Sequence, residues 1–162
     1  MEPAIAIIVG QDAAAIRSFR MTRAPFLLLM LEDEVDRLDR FRAILEKYEE
    51  TIEWRHWRTA ADFIAGYQDA PRQPALICLD HDLFTEHPDD PDPGDGREVA
   101  EYLANQTPAC HVIIHSSNAP AANSMYFTLE DAGWDVERIA PLGADWIETY
   151  WWSTAKPWLI TT

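Results

Sequence analysis

A chain of 162 residues has room for one domain of ordinary size, and 48% apolar residues give it a core to bury, which excludes a disordered or low-complexity chain. Set against 28 Asp+Glu, the 13 Lys+Arg leave a formal net charge of −15, and so acidic a surface repels phosphate backbones, so duplex nucleic acid is not an expected partner. No stretch is long enough to span a bilayer, so no membrane partner is expected either.

Residues 1–24 read as a loosely ordered N-terminal extension or a misplaced start, because Met21 opens MTRAPF just before the first strong strand. The apolar stretch Ala4 to Gly10 is short for a signal peptide and has no basic flank, so a cytoplasmic location is expected. The domain is taken as residues 25–162. Phe26 to Leu31 (FLLLML) is a continuous apolar run, the mark of a strand buried on both faces. Val35, Leu38, Phe41, Leu45 and Tyr48 then recur by three and four, which predicts a helix from near Glu34 to about Glu50, with Asp36, Arg37, Arg40 and Lys47 facing solvent. Ile52 to Trp57 alternates and predicts an edge strand; Ala60 to Tyr67 predicts a short helix stopped by Pro71 and Pro74. Ala75 to Leu79 is a second buried strand. Residues 84–96 (FTEHPDDPDPGDG) predict an irregular loop. A helix at Arg97 to Asn105, a buried strand at His111 to His115, and a helix at Ala121 to Ala132 closed by Gly133 follow. A weaker strand at Val136 to Ala140 and a Trp-bearing helix at Asp145 to Trp152 complete the chain. Cys78 and Cys110 have no metal-type spacing and read as reduced, buried thiols.

Strands alternating with helices demand an α/β fold: a three-layer, doubly wound, five-stranded parallel sheet with helices on both faces. Ligands in such folds bind beyond the carboxyl ends of the strands. Three of those ends are polar together: Glu32-Asp33-Glu34, Asp80-His81-Asp82 and His115-Ser116-Ser117-Asn118. Parallel neighbours lie about 4.8 Å apart, so carboxylates on adjacent strand ends crowd one another. Such crowding calls for protons or a cation, and oxygen ligands without cysteine favour Mg²⁺ (or Mn²⁺). Glu32, Asp33 and Asp80 are the expected metal ligands. Acids after a strand also cap helices, the role given to Glu34 or Asp36. The loop acids Asp89, Asp90, Asp92 and Asp95 read as a solvated lid, and His56, His87 and His111 as structural or solvated.

These residues resemble the receiver domain of two-component response regulators. Leu31-Glu32-Asp33-Glu34 is similar to its acidic pair, Leu79-Asp80 to its phospho-accepting aspartate and Ser116 to its hydroxyl residue. The resemblance runs from residue 25 to about 155 and implies the flavodoxin-like strand order 2-1-3-4-5. One departure is plain: the family's Lys-Pro pair after the fifth strand reads Ala140-Pro141 here, and Lys156-Pro157 falls a whole helix too late. Asp80-His81-Asp82-Leu83 and His115-Ser116-Ser117-Asn118 resemble the DHDL and HSxN-type signatures of a divergent branch, the cyclic-phosphate-processing receiver-like domains.

That resemblance implies metal-dependent hydrolysis of a cyclic or terminal phosphate ester on a small nucleotide-type substrate. The expected catalytic set is Asp80, His81, Asp82, His115, Ser116 and Asn118. A metal on Glu32, Asp33 and Asp80 would neutralise phosphoryl charge, the imidazoles of His81 and His115 would serve as base and acid in the same cleft, and Asp82 would orient one of them. Ser116 and Asn118 would hold a phosphoryl oxygen. Asp80 is either ligand or nucleophile. The alternatives are a signalling receiver phosphorylated on Asp80 without the lysine, and a binding module that meets a protein partner through the C-terminal Trp-rich helix.

Overall fold

The computed structural model describes residues 24–160; the expectation for the N-terminal extension lies almost wholly outside them. Strands β1 (Phe26–Leu31), β2 (Ile52–Trp57), β3 (Leu76–Leu79), β4 (His111–Ile114) and β5 (Asp135–Arg138) form one parallel sheet in the order β2-β1-β3-β4-β5. The connecting helices are α1 (Val35–Leu45), α2 (Ala60–Gln68), α3 (Gly96–Ala104), α4 (Ala119–Asp131) and α5 (Trp152–Leu159). This is the receiver, flavodoxin-like topology.

The three apolar runs take the centre of the sheet because both of their faces are covered. Leu27, Leu29, Leu31, Ile77, Leu79, Val112 and Ile114 point to the side packed by α2, α3 and α4. Leu28, Met30, Leu76, Cys78 and Ile113 point to the side packed by α1 and α5. Cys78 accepts a 3.4 Å contact from the Trp151 indole N–H, and burial pushes its thiol up to about 12. Among the described residues no helix is long and apolar enough to cross a membrane.

Helix starts follow side-chain chemistry. Thr59 Oγ1 accepts from the Asp62 N–H at 3.1 Å, Asp95 Oδ1 from Arg97 N–H at 2.8 Å, and Asn118 Oδ1 from Ala121 N–H at 3.2 Å. Helices α1 and α5 are the exceptions, α5 because it continues a π-helical turn. Glu34 occupies the N-cap position of α1 without a side-chain hydrogen bond there, and Asp36 lies in the first turn. The α1 helix ends at Leu45 and continues as a 3₁₀ turn, Glu46–Tyr48. Gly133, with φ of +87°, closes α4 in the left-handed region that a glycine adopts without strain.

Most predicted bounds shift by a few residues, and two of the shifts have a clear physical reason. Strand β5 stops at Arg138, although the Ile139 N–H still donates to Ile114 O at 2.9 Å, because Pro141 has no N–H to continue a ladder. The last helix runs seven residues past Trp152: a π-helical turn, Ile147–Trp151, leads into α5, which carries Pro157 inside it. Trp151, Ala155 and Leu159 recur every four residues and are fully buried, and that burial outweighs the hydrogen bond the proline removes. Trp146 and Trp151 are committed to the core against Phe41, whereas Trp158 is half-exposed.

Candidate functional site

The sheet ladder carries on one residue past each central strand. Glu32 N–H donates to Trp57 O at 3.0 Å, Asp80 N–H to Leu31 O at 3.0 Å and His115 N–H to Leu79 O at 2.9 Å. Side chains alternate along extended chain, so Glu32, Asp80 and His115 stay in phase with Met30, Cys78 and Ile113 and emerge on the α1 side. One ligand oxygen each from Glu32, Asp33 and Asp80 lies within 4.8 Å of the others, and all three residues are buried. The sequence-expected metal trio is therefore assembled.

The electrostatics are those of crowded, desolvated carboxylates. Burial, reinforced by the neighbouring Glu32, raises Asp80 to about 6, although His115, the His81 N–H and Arg37 pull it down. Asp33 is also raised, mainly by burial, against the 2.8 Å hydrogen bond it accepts from the Phe84 N–H. Glu32 goes the other way. Burial would raise it, but the hydrogen bond and charge of His115, the Glu34 N–H and Arg37 together outweigh that. Three hard oxygen donors held this closely, two of them raised chiefly by burial and further by the neighbouring Glu32, fit a divalent cation.

Arg37, expected on the solvent face, is instead part of the site. Its Nη1 is 2.9 Å from Asp80 Oδ2 and 3.6 Å from Glu32 Oε2, and its Nε is 2.7 Å from Glu34 Oε2. The Glu34 carboxylate is thus spent on an ion pair, the role that replaces its expected capping. Arg37 stands four residues before Phe41 and seven before Ile44, both buried, which was the signal that it flanks the buried face of α1. Ala140 is exposed at the end of β5, so Arg37, and no lysine, is the cation that meets Asp80.

The two imidazoles do not share the cleft as expected. His115 is 0% exposed. Its Nε2 is 3.2 Å from Glu32 Oε2, while its ring stacks on Trp146 at 5.9 Å between centroids and meets Phe41 edge-on at 5.6 Å. It stands behind Glu32, on the core side. His81 follows Asp80 directly and so turns the other way, toward α3 and α4. Its Nδ1 is 2.7 Å from Asp82 Oδ1, and its Nε2 is 3.4 Å from Asp95 Oδ2. Asp82 Oδ1 also accepts from Asn118 Nδ2 at 3.2 Å, and these two hydrogen bonds hold Asp82 below the ordinary carboxylate range against the opposing effect of burial. Asn118 spends its other amide atom capping α4, and its N–H donates to the buried Ser116 Oγ at 3.2 Å. Ser116 and Asn118 thus fix the start of α4. Asp95, expected in a solvated lid, caps α3 and meets His81.

A cleft of about 300 Å³ opens over Asp33 and Asp80, with Glu32 buried beneath, and is lined also by Glu34, Arg37, Asp82, Phe84 and Ser117. Ser117 was not among the expected site residues, yet it is the exposed hydroxyl that faces the cleft. Gly96 was missed as well. A Cβ there would lie 2.2 Å from Asp80 O and 2.9 Å from His81 Cα, and the Gly96 N–H donates to His81 O at 3.0 Å. Only a residue without a side chain lets α3 brace the backbone that carries Asp80.

A 2-1-3-4-5 parallel sheet with an acidic trio at the ends of β1 and β3 defines a receiver-type domain of the response-regulator kind. Solved structures bear this out at the level of fold. The Mn(2+)-bound form of response regulator Rcp1 is 18% identical with a TM-score of 0.64, covering 85% of this chain and 97% of that one. The phosphorylated cyanobacterial phytochrome response regulator RcpA is 18% identical with a TM-score of 0.61, covering 86% and 97%. The response regulator domain of Thermotoga maritima CheB is 12% identical with a TM-score of 0.59, covering 85% and 98%. Comparison with curated proteins finds no match. Within the receiver class the chain belongs to the cyclic-phosphate processing receiver domain family, which matches residues 27–131.

Proposed function

We propose that the protein hydrolyses a cyclic or terminal phosphate ester of a small nucleotide-type substrate, with Mg²⁺ or Mn²⁺ held by Glu32, Asp33 and Asp80. The observation that carries this reading is the buried carboxylate trio, two of whose members, Asp33 and Asp80, line with Arg37 a cleft large enough for a phosphate ester. Membership of the cyclic-phosphate processing family supports it. A bound divalent ion would supply charge neutralisation on the phosphoryl oxygens.

The chain's own groups divide the remaining work. Arg37 presents a guanidinium to the same oxygens from the α1 side. Asp82 lines the cleft with His81 at its back, and this pair is placed to take the proton of an attacking water and return it to the leaving alkoxide as the ester P–O bond breaks. His115 is a positioning residue: it holds the Glu32 carboxylate from the core side. Asp80 acts as ligand, its oxygens held by the His81 N–H at 2.6 Å and by Arg37. The test is phosphorus NMR of adenosine 2′,3′-cyclic phosphate and ADP-ribose cyclic phosphate with protein and Mg²⁺. Loss of the cyclic-ester resonance, abolished in Asp80→Asn, is expected; no turnover across both esters overturns the proposal.

The contact of Arg37 with Asp80 favours a second reading, a phospho-accepting receiver in which arginine stands in for the absent lysine. It predicts a long-lived acyl phosphate on Asp80 after treatment with acetyl phosphate and no role for Asp82 or His81. Absence of any label excludes it.

A further inference from the structure

We propose that Phe84 and the groove beside it form a nucleoside subsite, so that the substrate's phosphate sits at the acidic trio and its base stacks on the Phe84 ring. The inference rests, for the phosphate end, on the reading of the cleft given above. Phe84 is 72% exposed, the highest value among the large apolar side chains of the described residues, and it stands at the mouth of the acidic cleft. Its backbone is not free: the Phe84 N–H is held by Asp33 Oδ2 at 2.8 Å, so a metal-cluster carboxylate fixes where the ring stands. Phe84 is also the wall common to two cavities, the acidic cleft and a second of about 430 Å³.

That second cavity lies between the β2–α2 and β3–α3 connections, lined among others by Arg58, Thr59, Asp62, Glu86, Asp90 and Pro93. It is braced before any ligand arrives. Arg58 pairs with Glu86, the Ala60 N–H donates to Pro93 O at 2.8 Å, and the His87 N–H donates to Asp90 Oδ2 at 2.8 Å. Arg58 lines the groove as its one cationic side chain. Four acids against one arginine line the groove, so a second phosphate is repelled there. A flat, uncharged group bearing both donors and acceptors, placed next to the acidic cleft across the shared Phe84 wall, meets all of these conditions, and a nucleobase is that group. Stacking on an aromatic ring accepts any base and needs no basic surface.

The test uses two five-membered cyclic esters, adenosine 2′,3′-cyclic phosphate and glycerol 1,2-cyclic phosphate, together with adenosine alone as a binding probe followed by NMR titration. Adenosine is expected to shift the resonances of Phe84, Thr59 and Asp90. Phe84→Ala should weaken its binding by about tenfold or more, and Phe84→Trp should preserve it. Phe84→Ala should lower kcat/KM for the adenosine ester by a similar factor and that for the glycerol ester by much less, so that the ratio of the two falls. If neither ester turns over but adenosine binds in a Phe84-dependent way, the hydrolase reading falls and the subsite stands. If both esters turn over equally and Phe84→Ala changes neither turnover nor adenosine binding, the subsite is overturned and the hydrolase reading stands.

Discussion

Removing the charge of Asp80 should make the metal-free protein more stable. The carboxyl is almost wholly buried beside Glu32, and its folded-state value of about 6 stands above the ordinary 3.8. At about 1.4 kcal/mol per pH unit, keeping Asp80 ionised at neutral pH costs on the order of 3 kcal/mol. Asp80→Asn keeps the acceptor for the His81 N–H, and the value of about 6 already includes the attraction of Arg37, so the gain should be roughly 1–3 kcal/mol. For a domain of this size that is an upward shift in Tm of about 3–9 °C. The sign with pH follows from the raised value. Stability tied to this group is fully present below 3.8 and is lost as pH rises through about 6. The variant therefore gains most at about pH 8, and the gap narrows toward pH 5, closing only below the ordinary carboxylate value of 3.8. Thermal unfolding of both proteins in chelator across that range is the assay. A variant less stable than the parent at pH 8, or a gap that does not narrow on acidification, would refute the reasoning.

Gly96→Ala should cost roughly 1–3 kcal/mol by overpacking, because the new methyl meets the Asp80 carbonyl rather than a movable side chain, and metal affinity should fall with it; denaturant unfolding and metal titration read both. Arg37→Ala leaves the trio without its cation, so the metal-free protein should lose stability while Mg²⁺ raises its Tm by more than it raises that of the parent, as differential scanning fluorimetry would show. Trp151→Ala, deleting a fully buried ring packed on Phe41 and Cys78, should destabilise by about 3–5 kcal/mol in urea unfolding without changing the ligands of the metal site.

Much of this molecule can be read from its chain, and the reasons are local. The runs FLLLML, ALICL and HVII are apolar throughout because the strands are covered on both faces, and a period of three and four marked α1 without help from the fold. The acids after β1 and β3 could be placed together because strand ends in such sheets converge. What escaped was set by tertiary contact. Helical spacing puts Arg37 at the border of the buried face but names no partner for it, and Arg37 meets Asp80 while Arg40 pairs with Glu148 at the surface. Gly96 looks like loop punctuation and is instead a close approach between α3 and the Asp80 backbone. The separation of the two histidines was legible and overlooked. His81 is adjacent to Asp80 in sequence, and consecutive side chains in extended chain face opposite ways, whereas His115 shares the phase of Ile113 and so belongs with Glu32.

The most direct measurement is a crystal structure of the protein soaked with Mn²⁺ and read by anomalous scattering. The account predicts one strong peak within coordination distance of Glu32, Asp33 and Asp80, lost in Asp80→Asn. A peak among the loop acids Asp90 and Asp92 instead, or no peak at the ends of β1 and β3 at saturating Mn²⁺, would contradict it.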